Sequence, residues 1–256
     1  MGKAKNSLTS RMKENYELRC RHWLPRRSYV LIRVDGRSFH TWTKGLNKPY
    51  DVEMMKCMDT VAFKLFEEIP GAKFGYVQSD EVSLLITDFD KIGTEAWFDN
   101  CQNKLESVSA SIATMAFNRE VIRYARANLE MDITKLGSKA PDATFDSRAW
   151  TIPDYVEVEN YFIDRQKDAI RNSVTMLANY YASHKSLLKK KVSDRHEVIR
   201  AAGDDWEKHP LRFRRGAAVY RVGGISNGVA IDQDTPEFTK DRGYLKRHIP
   251  RHWADD

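Results

Sequence analysis

The stretch Tyr29-Val30-Leu31-Ile32-Arg33-Val34-Asp35-Gly36-Arg37-Ser38-Phe39-His40 decides how the rest of the chain is read. Its apolar run, Tyr29 to Ile32 continued by Val34, is rich in β-branched residues and suits a buried central strand. Asp35 then falls at the strand end, where a sheet delivers side chains to its edge. Gly36 lets the backbone turn sharply or approach a ligand closely. Taken alone, Asp-Gly is also a common tight-turn dipeptide that a returning hairpin can follow. A second carboxylate in a comparable place separates the two readings.

That carboxylate is Asp80. Ala72 to Phe89 reads as two alternating strands, with Phe74, Tyr76 and Gln78 on one side and Val82, Leu84 and Ile86 on the other. Ser79-Asp80-Glu81 forms the turn between them. Before this hairpin, a helix opens at Asp51 and runs to about Ile69, carrying Met54, Met55, Met58, Val61, Ala62, Leu65 and Phe66 at helical spacing. After it, a helix is expected over about Thr94 to Asn128, with a break near Asn118. A Gly/Pro/Asp-rich link, Lys135 to Asp146, leads to a strand within Arg148 to Glu157 that Pro153 interrupts. Glu159 to His184 is helical, and Gly216 to Val222 is one further strand.

The resulting order is strand, helix, strand, strand, helix, strand. It predicts an α+β chain with a ferredoxin-like βαββαβ antiparallel sheet, the plan of a polymerase palm, and a helical, basic C-terminal elaboration. In this plan the first strand lies centrally, beside the strand that precedes the second acid. The expected organisation is a helical lead-in over 1–28, a palm-like catalytic domain over 29–225 and a polar tail over 226–256. Residues 7–20 read as a short charged helix capped by Thr9 or Ser10, and a short helix can follow Thr235-Pro236.

Two carboxylates converging on one sheet edge repel each other unless a cation lies between them. An all-oxygen site of this kind suits Mg²⁺, which commonly uses one or two carboxylates plus substrate phosphates. A pair of such ions serves phosphoryl or nucleotidyl transfer. Backbone N–H groups from Gly36 to His40 can form an anion-binding nest, with Arg37 beside the turn and Lys48 in the next loop.

The bulk numbers fit such an enzyme without requiring it. The chain has 256 residues, 41% hydrophobic and 30% charged, enough for one large domain with additions. A net charge of +6 permits nucleic-acid binding but does not demonstrate it. Cys20, Cys57 and Cys101 contain no CxxC pair, which argues against a disulfide framework or a cysteine zinc site and fits a cytoplasmic setting. No secretory signal or membrane-length apolar run is present. His248 and His252 lack a third ligand at metal spacing and read as structural. Lys189, Lys190 and Lys191, with Arg212, Arg214 and Arg215, form either a solvated face or a contact surface for RNA phosphates. Trp23, Trp42 and Trp206 serve either packing or base stacking.

The RVDGRSFH segment and the QSDE turn together resemble the tRNA(His) guanylyltransferase superfamily. More closely, the chain resembles its guanylyltransferase-like branch of bacterial, archaeal and viral 3′-to-5′ RNA polymerases. RMKENYE at Arg11 to Glu17, HWLPRR, NKPYD, FDSR at Phe145 to Arg148, RQKDAIRNS and RFRRG extend the match over about residues 8–222.

This resemblance implies a palm fold with two Mg²⁺ ions on Asp35 and Asp80 and on the backbone carbonyl of Gly36. It implies triphosphate binding by the turn Arg37, Ser38, Phe39 and His40, and nucleotide contacts at Lys48, Asp51 and Ser79. Lys104, in WFDNCQNK, matches a phosphate-contacting lysine, and Arg165 and Asn172, in the matched RQ-led helix, are expected among the RNA-binding residues. ATP and GTP or another NTP are the implied substrates, tRNA or a tRNA-like RNA the partner, and a homotetramer the implied assembly.

The implied reaction activates an RNA 5′-monophosphate with ATP or GTP. The 3′-hydroxyl of an incoming NTP then displaces the activating nucleotide. Ile170 stands where the guanylyltransferase branch carries a histidine. That departure favours templated repair of truncated tRNA 5′ ends over addition of the extra 5′ guanosine of tRNA(His). A nucleotide cyclase sharing the palm leaves the RNA-facing motifs unexplained, and a noncatalytic RNA-binding protein leaves both aspartates unexplained.

Overall fold

The computed structural model describes residues 7–130, 134–222 and 228–252. Strand β1 is Tyr29–Gly36, followed by the short helix α2 at Phe39–Trp42 (α1 is Leu8–Met12) and by α3 at Val52–Glu68. The hairpin is β2 at Ala72–Gln78 and β3 at Glu81–Ile86. Then come α4 at Gln102–Glu130, β4 at Phe145–Ile152 and α5 at Tyr155–Tyr181. The remainder holds α6 at His184–Leu187, α7 at Val192–Ala201, α8 at Leu211–Arg215, β5 at Ala217–Arg221, β6 at Val229–Asp232 and α9 at Arg242–His248.

The strands form one six-stranded sheet in the order β4-β1-β3-β2-β5-β6, with every neighbouring pair antiparallel. The βαββαβ core is therefore present, and β5 and β6 extend it beyond β2. One expectation changes. The neighbour of β1 is β3, which follows the second acid, and not β2, which precedes it. Because β1 and β2 both run against β3, they are parallel to each other. The α3 crossover thus leaves room for one strand between them, and the hairpin folds β3 into that gap.

Why β1 is apolar on both sides follows from what covers the sheet. Val30, Ile32 and Val34 enter a core with residues of α3 and α4, among them Met58, Leu65 and Phe117. Tyr29 and Leu31 point the other way, into a core with Phe74, Phe162 of α5 and Tyr244 of α9. A third cluster joins the far end of α5, through Val174 and Leu177, to Leu187, Ile199, Trp206 and Phe213.

Three local expectations are corrected. The cap of α1 is Ser7, whose Oγ accepts the Ser10 N–H at 3.1 Å. The second long helix begins at Gln102, because Phe98, Asp99 and Asn100 take left-handed backbone and break the helical path before it. Asn118 does not interrupt that helix. Its amide donates to the Ala143 carbonyl at 2.8 Å and accepts the Ala143 N–H at 3.1 Å, tying α4 to the link before β4.

The polar segment after Ser226 hides core residues. Phe238, Tyr244, Leu245 and Ile249 are buried, and Phe238 N–H donates to Gln166 of α5 at 2.7 Å. Residues 228–252 are thus packed against the palm. All three cysteines are free, and no helix among the described residues is long and apolar enough to cross a membrane.

Gly216 joins α8 to β5 at φ +71°, ψ −164°. A Cβ there would lie 2.6 Å from both the Tyr76 hydroxyl and the Val77 carbonyl oxygen. Gly216→Ala is expected to destabilise the fold by about 2 kcal/mol or more, from backbone strain plus overpacking. Urea unfolding of the variant beside the wild type checks this, and an unchanged midpoint would refute it.

Candidate active site

Asp35 ends β1 opposite Glu81 on β3 and Asp146 on β4, so three carboxylates lie side by side across the sheet. The Gly36 N–H donates to the Asp80 carbonyl at 3.0 Å, drawing the hairpin turn against the end of β1. This bond closes the β1–β3 ladder, which sets Asp35 opposite Glu81 and so beside Asp80. Ser79 takes left-handed backbone at φ 46°, which sharpens the turn that presents Asp80.

Like charges crowd this end of the sheet. Burial, then the charges of Asp80, Glu81 and Asp146, push the Asp35 carboxyl up to about 6. Burial also raises Asp80. Glu81 is paired with Arg165 of α5 at 3.4 Å, whereas Asp35 and Asp80 have no ion-pair partner among the described residues. No cluster of three or more His, Cys, Asp or Glu side chains suited to a metal occurs among the described residues. A cation here would therefore take two carboxylates and complete its shell with backbone, water or substrate oxygens. That donor set fits Mg²⁺.

A cleft of about 430 Å³ opens beside the acids. Gly36, Ser38, His40, Lys48, Ser79 and Asp80 line it, with Tyr50, Met54 and Met176 as apolar wall. The turn differs in part from the expected nest. The Gly36 and Arg37 amides are committed to Asp80 and to the Thr144 carbonyl, at 3.0 and 2.9 Å. The Ser38, Phe39 and His40 amides have no partner among the described residues and are left for an anion. Phe39 itself is a core residue, packed on Trp42, Phe117 and Phe145. A Cβ on Gly36 would come within 2.4 Å of its ring, so the turn requires glycine at that position.

The remaining expected residues divide. Asp51 lines the cleft, but its oxygens accept the Met54 and Asn47 amides at 3.0 and 3.1 Å, which makes it the cap of α3. Asn172 faces a recess adjoining the cleft, beside Gln78 and Ser79. Ile170 packs instead on the third cluster. Lys104 does not reach the cleft. Its ammonium lies over the Phe98 ring at 5.2 Å, near the start of α4. The α4 residue that bonds the backbone of Phe145, next to Asp146, is Thr114, ten residues or about 15 Å further along the helix.

The basic C-terminal group also divides. Lys189, Lys190 and Lys191 are exposed. Arg212 is buried and paired with Asp59, Arg214 lies over Trp206 and bonds the His209 carbonyl, and Arg215 pairs with Glu237 at 3.0 Å. Each of these three arginines is engaged by the fold, and Arg212 also lines the recess that Asn172 faces. Trp206 is buried and Trp42 packs on the core, while Trp23 is exposed. His248 stacks on Tyr220 at 3.9 Å, and His252 packs on Phe89. The cleft wall formed by Tyr50, Met54 and Met176 carries no chemical signature in sequence and emerges only because the start of α3 and the far half of α5 border one cleft.

An antiparallel palm sheet with one carboxylate at the end of its central strand and another at the adjoining hairpin turn defines a class, the palm nucleotidyltransferases. Within that class the chain belongs to the Thg1 family, tRNAHis guanylyltransferase, whose family model matches residues 9–153. The chain is similar to a bacterial tRNA(His) guanylyltransferase (Thg1)-like protein solved in complex with ATP. The two are 36% identical with a TM-score of 0.84, over 96% of this chain and 100% of that one. A bacterial Thg1-like protein in complex with GTP matches at 34% identity and a TM-score of 0.74, over 96% of this chain and 100% of that one.

Among curated relatives, tRNA(His) guanylyltransferase 1 of Arabidopsis thaliana is 26% identical over 214 residues, 79% of this chain. The match spans only 35% of that relative's length.

Proposed function

We propose that the chain is a 3′-to-5′ nucleotidyltransferase that extends RNA 5′ ends, with truncated tRNA as its substrate and ATP, GTP and other NTPs as nucleotide donors. The observation that carries this reading is the contact of Gly36 N–H with the Asp80 carbonyl, which sets two carboxylates beside a cleft lined by Lys48. Membership of the Thg1 family and the likeness to proteins solved with ATP and GTP support it.

Asp35, Asp80 and the Gly36 carbonyl would hold Mg²⁺, two ions in all, which supply charge neutralisation at the transferring phosphate. Lys48 and the amides of Ser38 to His40 bind the triphosphate and keep it in line with the attacking oxygen. In the first step an oxygen of the RNA 5′-monophosphate attacks the α-phosphorus of ATP and pyrophosphate leaves. In the second, the 3′-hydroxyl of the incoming NTP attacks the RNA 5′-phosphorus and AMP leaves. Lys48 stabilises the negative charge that gathers on the departing phosphates.

Repair is preferred to guanosine addition because the side chain at position 170 is apolar and packed on a core cluster, outside the cleft. The test incubates the protein with Mg²⁺, labelled NTPs and either full-length tRNA(His) transcript or tRNA lacking its first nucleotide. Extension of the truncated RNA at least about tenfold faster in kcat/KM is expected, a preference of about 1.4 kcal/mol. Preference for the full-length transcript would return the reading to the guanylyltransferase. Absence of extension on either would end it. The assembly expected from the resemblance, a homotetramer, is part of the same proposal, and sedimentation equilibrium tests it.

A further inference from the structure

The cleft continues along α5. A second hollow, of about 470 Å³, is lined by Lys48, Pro49, Met176, Asn179 and Tyr180. Lys48, Pro49 and Met176 belong to both spaces, so the hollow opens directly off the cleft. Tyr180 lies four residues beyond Met176, one helical turn or about 6 Å away, close to the rise of one nucleotide in an extended strand.

Tyr180 is 53% exposed, yet it is held in place. Its ring meets the Tyr181 ring edge-on, with centroids 4.9 Å apart. The Tyr181 hydroxyl donates to Asp204 at 2.8 Å, and the same carboxylate oxygen lies 2.9 Å from Nε2 of His209. His209 packs edge-on against Tyr50, which walls the cleft. An exposed aromatic side chain buttressed in this way presents a fixed π-face at low entropic cost. Around it are one cation, one side-chain amide and no carboxylate. A lysine for phosphate, an amide for a base edge and a ring for a base face are the contacts that single-stranded RNA takes.

The geometry points to Tyr180 as the stacking platform for the 5′-terminal base of the RNA strand entering the cleft, with Asn179 against the edge of that base. This rests on the reading of the cleft as an RNA 5′-end site. It adds a specific residue that positions the strand outside the two carboxylates. Base–aromatic stacking tolerates any base, which suits an enzyme whose acceptor end changes identity at each addition.

The experiment pairs Tyr180→Leu with an RNA whose 5′-terminal nucleotide is abasic. RNA Kd is read by fluorescence anisotropy, and the KM values for RNA and ATP by extension. Wild type is expected to lose about tenfold in affinity when the base is removed, and Tyr180→Leu to lose about tenfold on intact RNA. The two losses together should not exceed either alone, because both delete one contact. Tyr180→Phe restores RNA affinity, and the KM for ATP does not move in Tyr180→Leu.

Additive losses, or a Tyr180→Leu effect confined to the KM for ATP, would overturn the assignment. The abasic arm on wild type leaves the protein unaltered, so it reads the contact even if Tyr180→Leu unfolds. Failure of wild type to extend any RNA would sink the function proposed above, while the anisotropy cycle would still decide the stacking contact.

Discussion

Asp35→Ala and Asp80→Ala are each expected to reduce 5′ extension by about a thousandfold or more, with the double variant scarcely worse than either alone. The magnitude is that expected when charge stabilisation is removed from a phosphoryl-transfer step, and the non-additivity follows because the pair acts as a unit. Neither side chain belongs to the three core clusters, so both variants keep the fold.

Stability moves in the opposite direction from activity. In the folded chain Asp35 ionises at about 6 instead of 3.8. A carboxyl raised in this way destabilises the fold once it is ionised, so stability falls as pH rises from about 4 to 6. Asp35→Asn removes that penalty. Discounted for its partly exposed position, the gain is about 1 kcal/mol, or ~2–4 °C in Tm at pH 7.5 in EDTA. Mg²⁺ should raise the Tm of wild type and leave the double alanine variant unmoved. Melting curves with EDTA and with MgCl2 check both statements, and equal Mg²⁺ stabilisation of wild type and double variant would remove Asp35 and Asp80 from cation binding.

Arg212→Ala is the substitution expected to cost most in stability. The Nε of Arg212 donates to Asp59 at 2.9 Å, and Nη2 lies 2.8 Å from the same oxygen, in ion-pair but not hydrogen-bond geometry. Gln233 donates to the other oxygen of Asp59 at 2.7 Å, so the pair also fastens the segment after β6. Both charged side chains are buried. Removing one leaves the other uncompensated, at a cost of about 3–5 kcal/mol, or ~10 °C in Tm. Replacing both, as in Asp59→Leu with Arg212→Met, should recover most of that loss, because the desolvation of two charges disappears with their attraction. Urea midpoints of the singles and the double measure the coupling. RNA affinity measured well below the Tm should not change in Arg212→Ala, and a loss there would restore Arg212 to the RNA-contacting set.

What was legible in the sequence was local. The periodicities of β1, α3, the β2–β3 hairpin and α5 are carried by neighbouring residues, and they appear where they were expected. Asp35 and Asp80 were legible because an apolar run ending in Asp-Gly and an acid in a hairpin turn are each local signals. Strand order was not, since periodicity does not say which strand fills the gap left by the α3 crossover. The basic group at Arg212 to Arg215 misleads for a related reason. Its partners, Asp59 and Glu237, lie far away in the chain, and a sequence shows the cations without the acids that neutralise them. Residues 228–252 hide their core contribution because Phe238 and Ile249 stand singly, and Tyr244-Leu245 as a short pair, among polar neighbours. Lys104 stands near the start of α4, about 15 Å along the helix from Thr114, the residue that meets the acid-bearing end of β4.

The hydrogen bond between Gly36 and Asp80 has a consequence for how such an enzyme changes over generations or at the bench. It makes the spacing of the two acids a property of main-chain register, independent of the side chains proposed to read the RNA. Those side chains lie on α5 and on the Lys48 loop, outside the register of the sheet. Substrate preference can therefore be rewritten residue by residue along one helix, through intermediates that all retain their chemistry.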